Sequence, residues 1–344
     1  MPDNGHHQIY QQPLLNNDKI VQAALKALRP QLPTCIPLYR RLQFGRFFPN
    51  TILLTNLQDI SSSPPPENSW IMAFVDRTCR PETEVWIFAS WESSSTTYES
   101  KEKKCDDLLV MALVKAISDL SLPESIHQSL LDKTAAETNE KDVSGFSRKD
   151  YSAHLFIDSN IILCGAVHES TTKILEGLGL VKNVFDAAPG LVPNHTYVFD
   201  VSELPEPKQL PEGLRWGELR YEHFATVRAR TQIPRQDKTL ADLPNLAIYD
   251  VEKGVPIAWV FVGIDASLTT LHVEEEWRGK GLAKMIALKL WREKMDRFWE
   301  DGVPKVAHDY VIRGNAASVA TSESLGGRHI GDTFWVRLDM SLAR

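Results

Sequence analysis

Leu268-Thr-Thr-Leu-His-Val-Glu-Glu-Glu-Trp-Arg-Gly-Lys-Gly-Leu-Ala283 is the stretch that decides how this chain is read. Its opening, residues 268–273, has the β-branched and apolar character of a short strand. Residues 283–298 follow with Met285, Ile286, Leu288, Leu290 and Met295 on one side of a long helix. A strand therefore enters a helix through Gly279 and Gly281. Glycine admits backbone conformations that turn successive N–H groups towards one point. The first helical turn adds unpaired donors and the positive end of its dipole. Together these make a cradle for a phosphate, and Arg278 and Lys280 add positive charge beside it. The plainer alternative is a tight strand–helix turn that holds no ligand.

Two phosphate-binding patterns are absent. There is no GxxxxGK[ST], and Gly279 and Gly281 are followed by Leu-Ala-Lys-Met rather than completing GxGxxG. A dinucleotide fold also places its glycine loop after the first strand, not deep in a domain.

Around this junction the second half alternates strand and helix. Residues 214–219 read as a strand and 221–230 as a helix. Residues 247–251 and 256–262 flank Glu252-Lys-Gly254 as a hairpin, and 306–312, 316–325 and 333–340 read as strand, helix and strand. Ahead of it, Ser202-Glu-Leu-Pro-Glu-Pro-Lys-Gln-Leu-Pro-Glu-Gly213 has three prolines in twelve residues, which suits a linker rather than a regular element. In the first half, Asp18 is placed to cap a helix carrying Ile20, Val21, Ala24, Leu25 and Leu28, which Pro30 stops. Strand-like runs occupy 51–55, 70–75, 84–90, 154–157, 160–163 and 196–200, with helices at 105–120 and 171–178. Residues 1–17 are polar and expected to be flexible, and 134–150 form a charged excursion. The order implies an α/β chain with domains at 18–201 and 214–344, joined by 202–213.

Composition narrows the function. At 344 residues the chain fits two domains, each able to bury a core. A net charge of −7 argues against nucleic-acid binding, which needs a basic stripe, and mildly favours a cationic acceptor such as an amine. Cys35, Cys79, Cys105 and Cys164 are too scattered for a zinc or disulfide framework. Glu274-Glu275-Glu276 reads as a solvated turn, so no metal is expected. No apolar run approaches the ~18 residues of a membrane span, and no targeting segment is evident, which leaves a cytoplasmic protein as the expectation.

The pattern Arg278-x-x-Gly281-x-Ala283 resembles the signature loop of the GNAT acyl-CoA N-acyltransferases. A second resemblance supports it: a strand at 306–312, then Asn315-Ala-Ala-Ser318, a helix, and Ser324-Leu-Gly-Gly327 where the family usually has Leu-Gly-Phe. The resemblance covers about residues 213–340. It implies that acetyl-CoA or another acyl-CoA is the cosubstrate. Arg278, Gly279, Lys280, Gly281, Leu282 and Ala283 would wrap its pyrophosphate, Leu271, His272 and Val273 would present main-chain groups to its pantetheine, and Asn315 and Ser318 would lie against it. Within the family the chain is most similar to glycine N-acyltransferase-like proteins, which carry a degenerate GNAT-like half before the working one. Leu38-Tyr-Arg-Arg41, Val85-Trp-Ile-Phe88 and Leu210-Pro-Glu-Gly-Leu214 fit that plan. This implies two tandem GNAT-like domains, each a mixed, mostly antiparallel sheet flanked by helices. The first half lacks the signature loop, so it should shape an acceptor cleft rather than bind coenzyme. A small-molecule amine is the implied partner, with no nucleic acid or membrane, and the chain a monomer or homodimer.

Aminolysis of a thioester needs a base for the amine, donors for the oxyanion and an acid for the thiolate. Family bases sit at positions matching Ser267 and Thr269, neither of which is a competent base at neutral pH; glycine acyltransferase has glutamate where Ser267 stands. The family's tyrosine acid corresponds to Ser322. Nearby titratable candidates are Asp265, His272, Glu274, His308, Asp309 and Tyr310. His308 or Asp309 lies beside the expected parting of the central strands. His272 titrates near neutrality but alternates with Leu271 and Val273, which sets it facing the other way. A water chain to a distant carboxylate is equally admissible. Three classes stay open: a small-molecule N-acyltransferase, a coenzyme-binding protein without turnover, and a protein N-acetyltransferase.

Overall fold

The computed structural model describes residues 7–61, 68–80, 82–93, 100–120, 145, 147, 159–182, 191–231, 233 and 235–343. Among these, strands β1 (Tyr10–Pro13), β2 (Ile52–Thr55), β3 (Ile71–Val75), β4 (Val85–Ala89), β5 (Ile161–His168) and β6 (Pro193–Asp200) come from the first half. The second half supplies β7 (Leu214–Gly217), β8 (Asn245–Asp250), β9 (Pro256–Val262), β10 (Leu268–Val273), β11 (Val306–Ile312) and β12 (Arg328–Asp339). All twelve join one sheet in the order β1-β2-β3-β4-β5-β12-β6-β11-β10-β9-β8-β7. Every neighbouring pair is antiparallel except β4–β5 and β10–β11.

The middle of the sheet interleaves the two halves. β6 pairs with β11 on one edge and β12 on the other, while β12 continues past β6 to pair with β5. The chain's last strand thus extends both parts of the sheet at once. It begins at Arg328, five residues before the expected 333, because its polar first turn finds a partner in β6.

The helices are α1 (Asp18–Leu28), α2 (Ile36–Phe44), α3 (Ser100–Ser118), α4 (Glu169–Gly177), α5 (Phe224–Ala229), α6 (Asp237–Asp242), α7 (Leu282–Glu293) and α8 (Ala316–Ser324). Asp18 is the first residue of α1 rather than its cap; Asn17 holds the cap position without a side-chain bond. The helix expected to run to residue 298 ends at Glu293 and is followed by a separate turn, Asp296–Phe298. Two helices were not anticipated. In α2 the amphipathic pattern is hidden by wholly buried Arg40 and Arg41, the latter 3.9 Å over the Phe74 ring. Pro37 is tolerated in its first turn, and Gly45, at φ +73°, closes it left-handed. α6 is too short to show a period. Tyr10–Pro13, in the stretch expected to be flexible, pairs residue for residue with β2. The strand expected at 154–157 and most of the excursion 134–150 lie outside the described residues.

Three apolar clusters hold the sheet. The largest packs Trp259, Phe261, Ile286, Leu290, Trp291 and Phe298 around the second half, and two smaller ones cover the first half's faces. Burial of this kind contributes about 25 cal/mol per Å² of apolar surface.

Candidate active site

The parallel pair β10–β11 is joined at a single registered position, Leu268 opposite Asp309, beyond which the strands part. On its other side β10 pairs with β9, and the register slips by one residue between Thr269 and His272, with Thr270 at φ +54°. A non-glycine residue in this left-handed region carries strain, which points to a local requirement. The bulge also bends the strand away from its neighbour, so the edge at Leu271, His272 and Val273 faces the parting without a registered partner in β11.

The glycine junction sits at the end of this edge. Gly279 and Gly281 have φ of +74° and +77°, and a Cβ at either would meet nothing within 4 Å, so the main chain is open on that side. Gly281 caps α7, whose first helical bond runs from Met285 N to Gly281 O. The N–H groups of Leu282, Ala283 and Lys284 therefore have no acceptor within the helix. Arg278 Nε donates to Val273 O at 3.0 Å, tying the loop to the strand. Lys280 Nζ stands 4.3 Å over the Trp277 ring. On the neighbouring helix Asn315 Oδ1 accepts from Ser318 N at 3.1 Å, capping α8, and Lys284 Nζ of α7 donates across to Ser324 O of α8. An open backbone cradle with free donors and flanking cations fits an anionic pyrophosphate.

Alternation along β11 sends Asp309 to one face and His308 and Tyr310 to the other. Asp309 Oδ2 accepts from Ser322 Oγ of α8 at 2.6 Å, its Oδ1 has no partner, and burial raises its carboxyl to about 7. On the opposite face His308 Nε2 lies 3.1 Å from Tyr310 Oη, which donates to Asp265 Oδ2 at 3.3 Å. Asp265 Oδ1 accepts from Ser267 Oγ at 2.6 Å and from Ser267 N at 3.2 Å. This turn depends on Gly263, where a Cβ would stand 2.9 Å from Asp265 Oδ1 and 2.8 Å from Ser267 Oγ. Burial lowers the His308 imidazole to about 4 and pushes the Tyr310 hydroxyl well up, so at neutral pH both are uncharged. The chain His308–Tyr310–Asp265–Ser267 thus links one carboxylate to three hydrogen-bonding groups beside the paired end of β10–β11.

His272 lies elsewhere. The bulge turns it to the same face as Thr269, contrary to simple alternation, because the two pair with Trp259 and Phe261, alternate residues of β9. Its ring stacks on Trp259 with centroids 4.6 Å apart, and burial lowers its pKa. Glu274 Oε2 is 3.5 Å from its Nε2, which makes no hydrogen bond, and Glu274 itself accepts from Arg230 Nε at 3.0 Å.

Several residues of the site gave no sign in the sequence. Arg235 donates from Nη2 to Thr269 Oγ1 at 3.0 Å, its Nε is buried without a partner, and burial lowers its pKa. Glu82 of the first half accepts from Gln236 N at 2.9 Å and Thr239 Oγ1 at 2.7 Å, holding the segment that carries Arg235. Arg40 donates to Phe298 O at 2.6 Å and Val306 O at 2.9 Å beside His308. Trp335 packs edge-on against Tyr310, with centroids 5.1 Å apart, and donates to Thr83 Oγ1. These partners lie far apart in sequence, and only the shared sheet brings them together.

A parting β10–β11 pair, a bulged strand and an Arg-x-x-Gly-x-Ala turn into a helix define the GNAT acyltransferase fold in the second half; the first half repeats a mixed sheet with a parallel pair of its own, β4–β5, but not that turn. The chain belongs to the family described as the acyl-CoA N-acyltransferase verG N-terminal domain, whose model matches residues 6–198. The match lies on the first half; the Arg278–Ala283 loop is outside it. No curated protein matches the sequence. A solved Drosophila protein aligns over 96% of this chain and 98% of its own at 14% identity, with a TM-score of 0.59, a likeness of fold. Looser likenesses include a tandem GNAT protein from the clavulanic acid biosynthesis pathway (11% identity, 96% and 97% covered, TM-score 0.44). Another is a GCN5-related N-acetyltransferase from Sphaerobacter thermophilus (11%, 99% and 97%, 0.42). The family match over residues 6–198 places the chain in an acyl-CoA N-acyltransferase family. No helix among the described residues is long and apolar enough to cross a membrane.

Proposed function

We propose that the protein transfers an acyl group, acetyl foremost, from acyl-CoA to the amine of a small molecule or amino acid held between the two halves. The observation that carries this is the parted β10–β11 pair, with a backbone cradle at its end and a hydrogen-bonded carboxylate chain on the face towards Arg235. In this reading Arg278–Ala283 hold the pyrophosphate, the edge at 271–273 the pantetheine, and Asn315 and Ser318 flank it. The acyl-CoA supplies the activated thioester; the protein's own groups position the amine and move protons. Asp265, through Ser267 or a water beside it, accepts the amine proton. On the other face the Asp309 carboxyl, raised to about 7, gives its proton to Ser322 as the Ser322 hydroxyl gives its own to the departing sulfur. His308 and Tyr310 orient Asp265, and His272, capped by Trp259, serves the strand edge rather than proton transfer.

The first half acts by closing the cleft. At its own parallel pair, β4–β5, Gly165 leaves no room: a Cβ there would stand 2.6 Å from Thr83 and 3.2 Å from Trp335 Nε1. A filled parting without a glycine loop suits a wall and not a second coenzyme site. A walled cleft also favours a small acceptor over a protein chain.

The test is incubation with acetyl-CoA and longer acyl-CoAs against amino acids, polyamines and aromatic amines, reading thiol release. Turnover on one class, falling about 10²–10⁴-fold in Asp265→Asn with acyl-CoA affinity kept, supports the assignment. Coenzyme binding with no turnover on any amine points instead to a binding protein. An Asp265→Asn variant as active as the parent removes Asp265 as the base.

A further inference from the structure

The polar start of β12, Arg328-His-Ile-Gly-Asp332, is where its pairing with β6 slips by one residue, between His329 and Gly331. In a regular strand His329 and Asp332, three apart, face opposite sides. The extra residue, with Gly331 at φ +144°, turns them to the same side. There they meet His195 of β6, the register partner of Asp332. His195 Nδ1 lies 2.7 Å and His329 Nε2 3.2 Å from one oxygen, Asp332 Oδ1. The three atoms lie within 4.8 Å of one another, and the imidazole centroids are 4.8 Å apart at 78°. Arg313 holds the other oxygen, Oδ2.

Two imidazoles and one carboxylate are the donor set of zinc and neighbouring divalent transition metals; calcium and magnesium prefer oxygen alone. Bond lengths of about 2.0–2.2 Å to such a metal place tetrahedral ligand atoms roughly 3.3–3.5 Å apart. The spacings here bracket that range, and rotation of two solvent-facing rings closes the difference; the His195 and His329 side chains are 23% and 45% exposed. The same exposure leaves a side open for a water as fourth ligand. Metal-binding carboxylates are themselves hydrogen-bonded, the part Arg313 plays on Oδ2. Its positive charge opposes a cation, but Arg313 is 58% exposed, where solvent and salt screen it.

We propose that His195, His329 and Asp332 bind one divalent transition metal ion of the zinc class. β6 ends the first half of the chain and β12 ends the second, so the ion clips the two halves where their strands interleave. This is independent of the acyl-transfer assignment, and it departs from the sequence-based expectation of no metal. The convergence is made by a bulge between His329 and Asp332 and by His195, more than a hundred positions earlier in the chain, which no local pattern records.

Metal-free full-length protein is titrated with Zn²⁺ by calorimetry and with Co²⁺ by visible absorption. His195→Ala/His329→Ala is measured alongside, with His6→Ala/His7→Ala as a control for the amino-terminal pair. The expected result is one equivalent of Zn²⁺ bound by the wild type and by the control, weakened at least a hundredfold in His195→Ala/His329→Ala. Intense tetrahedral Co²⁺ bands should be lost in the same variant. Zn²⁺ at about a hundred times Kd should raise Tm by about 5 °C in the wild type only, and Mg²⁺ should not. Circular dichroism shows whether the double variant stays folded, as its exposed positions imply. Zn²⁺ binding equal in the wild type and this variant, or no binding in either, overturns the proposal and leaves a hydrogen-bonded triad only; an equal Mg²⁺ response overturns the metal class.

Discussion

Replacing Asp309 with Asn should stabilise the protein progressively as pH rises, while slowing turnover. Asp309 is buried, hydrogen-bonded only to Ser322, and its carboxyl is raised from 3.8 to about 7. Below about pH 4 the group is protonated in the folded and unfolded chain alike and costs nothing. As pH climbs from there, the unfolded chain releases its proton first, and stability is lost until the folded carboxyl has also ionised, above about pH 7. A rise of about three pKa units at about 1.36 kcal/mol each sets the full loss near 4 kcal/mol. Roughly half of that, about 2 kcal/mol, is already lost at pH 5.5. Asparagine cannot ionise and still offers Ser322 an acceptor, though its amide nitrogen adds a pH-independent cost of about 1–3 kcal/mol if unpaired. The informative quantity is therefore the change in the difference between variant and wild type. Urea denaturation at pH 5.5 and 8.5 should show it moving about 2 kcal/mol in the variant's favour. A difference equal at the two pH values would falsify the assignment of a raised, buried carboxyl at Asp309. Greater stability with slower thiol release is the exchange expected when a strained group is kept for function.

Two further outcomes follow from the geometry. Gly281→Val puts a β-branched residue at φ +77° where no neighbour crowds its Cβ. The fold should survive a strain of about 1–2 kcal/mol while acyl-CoA affinity drops more than tenfold by calorimetry, and unchanged affinity removes the loop from coenzyme binding. Glu82→Ala frees the Arg235-bearing segment from two hydrogen bonds, so steady-state kinetics should show KM for the amine rising about tenfold or more, given about 1.5–3 kcal/mol for a bond to a charged group. KM for acyl-CoA should stay level; equal rises in both would mean that Glu82 supports the whole site and not the acceptor side.

Much of the second half was legible because its signals are local. A strand, two glycines and the start of a helix within sixteen residues announce an open turn of backbone donors, since such donors at a helix start are properties of the main chain. Asn315 could be named only through the family resemblance, and that its side chain caps α8 came from the structure. The proton chemistry was not legible. Asp309 and Tyr310 could be named, but alternation on a strand does not say which face meets Ser322 and which meets Asp265 until α8 is docked. His272 shows the limit of a period-two argument, because one extra residue at Thr270 reversed its side.

The sequence by itself determined the α/β class, the loop at Arg278–Ala283 and the resemblance to an acyl-CoA N-acyltransferase, all of which rest on interactions between residues a few positions apart. Only the tertiary structure decided that β6 and β12 interleave and that Glu82 and Arg40 of the first half hold the second half's cleft. It also brought Asp265, Ser267, Tyr310 and His308 into one hydrogen-bonded chain and set His195 beside His329 and Asp332. Such groupings depend on strand order and on single-residue bulges. Local propensity and periodicity carry no record of either, because the partners meet only when the whole sheet closes.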